Sequence, residues 1–269
     1  MITDTVWKLP DIVNRYLTYR VAIPLAQEQI GVMMSILKTR EQPIENFLDL
    51  GCGDGILGAS ILGSYPKARG VFVDFSEPML TQARDVLQDY DGQLAFENLD
   101  YGNPNWVTHM QTYAPFDAIV SGYSIHHQPD ERKRDVYKEI FSLLKPGGWF
   151  VNVEHVSSAN EFNVNLFEKH YTSVRHAIET QNGGTRTLQE IEHEYRTRPD
   201  KAANILAPVE DQCKWLREIG YEKVDCFMRI YELAVFGGCR PNYKSAIGNQ
   251  NGSIHTLNLP RTCHPCQRH

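Results

Sequence analysis

Asp49, Gly51, Gly53, Gly55 and Asp74 are the residues of this 269-residue chain whose types and spacing point most directly to chemistry. Residues 48–55 read Leu-Asp-Leu-Gly-Cys-Gly-Asp-Gly, an apolar strand pattern running into a glycine-rich turn, and a helical pattern follows. Glycines in such a turn permit positive φ and remove the Cβ atoms that would hold a ligand off the backbone. The next helix offers free N–H groups and a partial positive charge. Twenty-five positions after Asp49, a second apolar strand pattern ends in Asp74. An acid there can accept two hydrogen bonds from ribose hydroxyls. Together these parts describe a site for a nucleoside-containing cofactor.

The charges select among such cofactors. A dinucleotide fingerprint needs G-x-G-x-x-G. Here the spacing is G-x-G-x-G, and a glycine three positions after Gly55 comes only at Gly58. A carboxylate at Asp49, just ahead of the turn, repels a pyrophosphate and suits a ligand with a positive amino group. S-adenosylmethionine has an ammonium, a sulfonium and a carboxylate, but no phosphate. The charges favour it over NAD and leave a dehydrogenase as a distant alternative.

Four more pieces follow in order: Val73-Asp74-Phe75-Ser76-Glu77-Pro78-Met79-Leu80, Asn98-Leu99-Asp100-Tyr101, Phe116-Asp117-Ala118-Ile119-Val120 and Leu144-Lys145-Pro146-Gly147-Gly148. With the glycine turn they resemble the class I S-adenosylmethionine-dependent methyltransferases, over residues 44–156 and more weakly to about 240. The resemblance implies that the backbone of Gly51, Gly53 and Gly55, with Cys52 between them, approaches the methionine moiety. It implies that Asp49 meets the ammonium, directly or through water, and that Asp74 takes the ribose hydroxyls. Phe75 and Met79 then pack on the adenine. Asp100 and Tyr101 sit by the adenine amino group, unless Asp100 is only a turn residue ahead of Gly102. Ser121 and Gly122 lie near the sulfonium.

The acceptor side rests on the residues after the fourth strand, Tyr123-Ser124-Ile125-His126-His127. The Asn/Asp-Pro-Pro-aromatic tetrad of relatives that methylate bases or amides is absent, which argues against those substrates. His126 and His127 are candidate general bases, since imidazole titrates near working pH. The alternative for one of them is to close the loop by a hydrogen bond. Glu154 and His155 end the fifth strand on opposite faces, so one of them faces the cleft. His155 is placed to pair with His127 across it. Two histidines with Glu154 are also a conceivable metal set, but no metal is expected.

Beyond Val156, Tyr171, Arg175, Arg196 and Arg198, with Tyr123, are the candidate acceptor contacts. A solvated helix face is the alternative for each lid residue. The expected activity is methyl transfer to a small-molecule O, N or C nucleophile. Two alternatives are kept. One is an enzyme like the carboxy-S-adenosylmethionine synthases of tRNA wobble-uridine modification, with Arg196 or Arg198 holding an added carboxylate. The other is a non-catalytic S-adenosylmethionine-binding protein.

The elements that must position these residues follow from periodicity. Strand patterns lie at 45–50, 70–74, 94–97, 116–121, 148–155, 222–228 and 230–236. Helical patterns alternate with them, which implies an α/β, Rossmann-like, doubly wound seven-stranded sheet, mostly parallel with an antiparallel C-terminal hairpin strand. Ser76 is an expected N-cap, Asp130 another, and Lys145-Pro146-Gly147-Gly148 reads as a helix stop and turn. The expected organisation is an N-terminal helical cap (1–43), a cofactor-binding core (44–156 and 207–240), a helical lid insertion (157–206) and a flexible tail (241–269). Cys263 and Cys266 in that tail form a C-x-x-C pair, with zinc as a lesser alternative to an unstructured end.

Hydrophobic content of 42% and charged content of 22% are those of an ordinary globular protein. A net charge of −6 argues against nucleic acid as partner. No apolar run approaches the ~20 residues of a bilayer span, so a cytoplasmic protein is expected. The oligomeric state is not encoded legibly.

Overall fold

The structure is a computed structural model that describes residues 4–242. The tail pair Cys263 and Cys266 lies outside the described residues.

Strands alternate with helices along the chain: β1 (Asn46–Leu50), β2 (Arg69–Asp74), β3 (Leu94–Asn98), β4 (Phe116–Gly122), β5 (Leu144–His155), β6 (Glu222–Ile230) and β7 (Leu233–Cys239). They form one sheet of order β3-β2-β1-β4-β5-β7-β6. β1 to β5 are parallel, and β7 runs antiparallel between β5 and β6. The strand order reverses between β1 and β4. Right-handed crossovers carry the chain to opposite faces there, which opens a crevice at the strand tips.

Alternation along each strand builds two apolar layers. Leu48, Leu50, Val71, Val73, Ile119 and Phe150 join the layer under α5 (Trp106–Met110), α6 (Asp130–Leu143) and α9 (Val209–Ile219). Phe47, Phe72, Val120 and Val151 face the layer under α2 (Ala26–Leu37), α3 (Ile56–Ser64) and α4 (Glu77–Val86). Buried on both faces, the central strands hold the strand tips rigidly.

Ser76 caps α4, its Oγ accepting the Met79 N–H at 3.4 Å. Two expectations are corrected. Pro129, not Asp130, is the N-cap of α6; Asp130 is already helical and pairs with the buried Lys133 at 2.6 Å. Lys145–Gly148 is not a free turn. α6 stops at Leu143 and β5 starts at once, with Phe116 paired to Leu144 and Ala118 to Trp149. The intervening residues bulge, and Arg240 beyond β7 pairs with Gly147 and Gly148. Tertiary pairing thus absorbs residues whose local preference is to turn.

Above the strand tips stand α1 (Pro10–Tyr19), α7 (Glu161–Gln181) and α8 (Leu188–Thr197). They pack on one another: Ala22, Tyr171 and Tyr195 share a small apolar cluster, and Arg175 lies over the Tyr19 ring at 3.6 Å. The N-terminal segment crosses the crevice as a strap. The Trp7 carbonyl accepts Ser76 Oγ–H at 2.6 Å, Arg20 pairs with Asp54, and Arg15 pairs with Asp200 at 2.6 Å.

Candidate active site

The glycine turn connects β1 to α3 with Gly51, Gly53 and Gly55 at φ of +66°, +55° and +78°. Its shape is set by contacts on both sides. The Cys52 N–H bonds the Val73 carbonyl at 2.9 Å, and the Gly53 N–H bonds Asp74 Oδ2 at 2.9 Å. At Gly51 an added Cβ would lie 1.9 Å from Ser124 Oγ, which in turn meets the Tyr101 hydroxyl at 2.6 Å. We therefore expect Gly51→Ala to lower the melting temperature and to weaken cofactor binding. Left-handed backbone strain of roughly 1–2 kcal/mol adds to the clash. Gly31→Ala, with open space inside α2, is the control; thermal melts of both variants check this.

Three cavities adjoin at the strand tips, and Tyr16 and Tyr123 line all of them. The first runs along the glycine turn past Asp49, Cys52, Gly53 and Asp54. The second lies against Gly51, Gly53, Asp74, Phe75 and Met79. The third is a chamber of about 820 Å³, open mouth included, between the histidine loop, the strap and α7–α8.

The first two are lined by acids. Asp49 is buried, with Oδ2 accepting the Gly58 N–H at 2.8 Å and Oδ1 without a hydrogen-bonding partner. Burial, with Asp54 and Asp74 nearby, holds its carboxyl well above the usual range. Asp74 accepts Gly53 and Ser76 N–H groups, one on each oxygen, and burial raises it to about 6.

At the chamber wall, Glu154 is fully buried at the end of β5. Its Oε1 accepts from His126 Nδ1 (2.6 Å) and the His155 N–H (2.8 Å). Its Oε2 accepts from the His126 N–H (3.1 Å) and Asn152 Nδ2 (3.3 Å). Such a donor set favours the ionised carboxylate and opposes the effect of burial, which still leaves Glu154 raised to about 7. The pair sets His126 as the Nδ1–H tautomer, leaving Nε2 as acceptor. Burial holds His126 well below the usual imidazole range.

His127 is set differently. Its Nδ1 donates to the Ala203 carbonyl at 3.2 Å, and its ring contacts Trp7 and His126. Burial and the neighbouring His126 push it down to about 3. His127 lines both the Asp74 cavity and the chamber.

The structure brings Asp49, Gly51, Cys52, Gly53, Asp74, Phe75, Met79, Tyr123, His126, His127, His155, Tyr171, Arg175 and Arg198 to these cavities. Gly55 shapes the turn and caps α3, and Tyr101 braces Ser124 behind Gly51.

Others stand elsewhere. Ser121 is fully buried and donates to the Leu50 carbonyl at 2.7 Å, bolting β4 to β1. Asp100 is exposed and closes a turn onto the Gly102 N–H. Arg196 is half-exposed on Glu168, off the chamber lining. His155 does not pair with His127: its Nε2 meets Glu232 at 3.0 Å, and its ring lies beside His126. Among the described residues no cluster of His, Cys, Asp and Glu is arranged to hold a metal.

Trp7, Arg15, Asp200 and Asn204 complete the chamber without any signal in the sequence. Only the pairing of Arg15 with Asp200, 185 positions apart, marks them, and it exists only in three dimensions.

Residues 47–148 match the sequence profile of a family described as a methyltransferase domain. A demethylmenaquinone methyltransferase of Lactococcus lactis is 31% identical over 130 residues, 48% of this chain and 49% of that protein. A carboxy-S-adenosyl-L-methionine synthase of Nautilia profundicola is 20% identical over 228 residues, 84% of this chain and 88% of that protein. The chain spans about half the length of the first curated relatives it matches. An O-methyltransferase family protein of Burkholderia thailandensis shares the fold, with a TM-score of 0.53 at 15% identity over 80% of this chain and 57% of that one. Residues 47–148 thus carry the sequence pattern of a methyltransferase domain, and the fold over most of the chain is shared with an O-methyltransferase family protein.

The family's cofactor is S-adenosylmethionine, and the residues present fit it. Asp49, whose buried Oδ1 has no hydrogen-bonding partner, lines the first cavity, and an ammonium there would supply that partner. Gly53 leaves open the space a Cβ would fill, with Met79 Sδ 4.0 Å away as the nearest atom. Each Asp74 oxygen keeps a lone pair beyond its backbone bond.

Proposed function

We propose that this chain transfers a methyl group from S-adenosylmethionine to an oxygen, nitrogen or carbon nucleophile of a small molecule held in the chamber. One observation carries the reading: Tyr123 and His127, just after β4, line the cofactor cleft and the chamber alike. An acceptor in the chamber therefore reaches the cofactor past a single loop.

When bound, the cofactor supplies an electrophilic methyl on a sulfonium. The chain's own residues orient, exclude water and move a proton. Asp49 and the glycine-turn backbone hold the amino acid end, and Asp74 holds the ribose. The strap and α7–α8, residues 1–43 and 157–206, act as cap and lid over core residues 44–156 and 207–240. His126 is the stronger candidate base, because Glu154 stabilises the imidazolium formed when Nε2 takes a proton. His127, backed by a neutral carbonyl, orients the acceptor; His155 with Glu232 braces the wall. Tyr123, Tyr171, Arg175 and Arg198 contact the acceptor.

Among the described residues no helix is long and apolar enough to cross a membrane. Cys52, Cys213, Cys226 and Cys239 are free thiols, which supports a reducing, cytoplasmic setting.

The second reading, synthesis of a carboxylated S-adenosylmethionine, is favoured by the likeness to such a synthase over 84% of the chain. A screen decides between them. The protein is incubated with S-adenosylmethionine and a panel of phenols, amines and carbon acids. S-adenosylhomocysteine release with a product heavier by one methyl is expected. A copurified or formed nucleoside carrying an added carboxylate supports the second reading instead, and the absence of both products defeats both readings.

A further inference from the structure

Resting on the methyltransferase reading, we propose that the acceptor is a small, flat carboxylic acid anchored through its carboxylate at Arg15 and Arg198. The argument is a charge count around the chamber. Arg20 is matched by Asp54. Arg175 and Arg186 are matched by Glu179 and Glu194. In the histidine wall, His126 with Glu154 and His155 with Glu232 are hydrogen-bonded pairs that add no surplus cation.

The count fails at Asp200, where one carboxylate faces two guanidiniums. Arg15 meets its Oδ1 at 2.6 Å and Arg198 Nε lies 3.3 Å from its Oδ2. That second contact is a charge approach without hydrogen-bond geometry, because Arg198 Nε is buried and makes no hydrogen bond. Arg196 and Lys201 share Glu168 in the same way, but off the chamber lining. The uncompensated cation facing the chamber is therefore at Arg15 and Arg198. A second carboxylate there receives charge-assisted bonds from donors whose planar forks suit it.

Position and shape give the rest. Arg15, Arg198, Asp200 and Tyr195 line the chamber and neither cofactor cavity, so the anion belongs to the acceptor and not to the cofactor. Arg198 lies over the Tyr195 ring at 4.4 Å, and Tyr195 packs on Tyr171 at 5.1 Å. Trp7 and Tyr16, 5.4 Å apart, line the chamber too. Aromatic walls around an anion-binding end select a planar acid with an apolar body.

The test is calorimetry on the full chain with 4-hydroxybenzoate and its neutral analogue 4-hydroxybenzamide, with and without S-adenosylhomocysteine. The acid is expected to bind about tenfold or more tightly than the amide, since each tenfold needs about 1.4 kcal/mol, within reach of one charge-assisted bond. Arg198→Gln and, independently, Arg15→Gln should erase the preference, and Arg84→Gln on the far surface of α4 should keep it. Equal affinity for acid and amide, no binding of either at millimolar concentration, or a preference that survives both chamber substitutions overturns the proposal. The two readings fail separately. A preference for the acid without S-adenosylhomocysteine binding leaves the anion site and removes the methyltransferase reading. Cofactor binding without the preference does the reverse.

Discussion

Asp74→Ala lowers affinity for S-adenosylmethionine by roughly tenfold or more for each ribose hydrogen bond lost. A bond to a charged acceptor contributes about 1.5–3 kcal/mol, and about 1.4 kcal/mol is a factor of ten. Calorimetry reads the change directly, and unchanged affinity removes the assignment. The loss also carries a pH signature. Burial raises Asp74 to about 6 in the folded protein. In the native protein affinity declines as pH falls through that value, because the protonated carboxyl accepts less well. The variant lacks this inflection. Linkage has the opposite sense for stability. The folded state binds this proton more tightly than the unfolded chain, whose value is near 3.8. Its contribution to stability therefore falls as pH rises from about 4 to 6 and stays lost above. The apo protein tolerates that cost in a group the cofactor needs ionised.

The second large effect is at Glu154. Glu154→Gln places an amide among four donors, so at least one donor loses its acceptor. His126 then loses both its fixed tautomer and the charge that stabilises its protonated form. Turnover is expected to fall by about a hundredfold or more, the usual scale of general acid–base catalysis, while cofactor affinity holds within a few fold. The acid limb of the native rate profile, set by Glu154 near 7, disappears. His127→Ala should raise the KM for the acceptor more than it lowers kcat. If the two substitutions exchange these signatures, His127 is the base. Equal loss of cofactor affinity and turnover at Glu154 marks a structural role alone.

The parts of the molecule legible in the sequence are those specified by local chemistry. β1 and β2 announce themselves by alternating Phe47-Leu48 and Val71-Phe72-Val73, whose faces fall in opposite layers. The glycine turn was legible because positive φ demands glycine, and the apolar run of β2 marked Asp74 as its last residue. Other residues were misplaced because long-range partners claimed them. Ser121 sits at the right strand end, but the Leu50 carbonyl takes its hydroxyl. Arg196 lies on the right helix, but its ring of neighbours is Glu168 and solvent. Lys145–Gly148 has turn chemistry, yet Arg240 supplies the backbone partners that keep it in the sheet. Trp7 was invisible because nothing in its polar surroundings forecasts that it lies against His127.

Tyr16, in the middle of α1, stands at the boundary of all three cavities, and Arg20 just after it touches two. A short stretch of one helix is thus a party wall between tenants. Any change at that wall, such as Tyr16→Ala, therefore alters all three compartments at once.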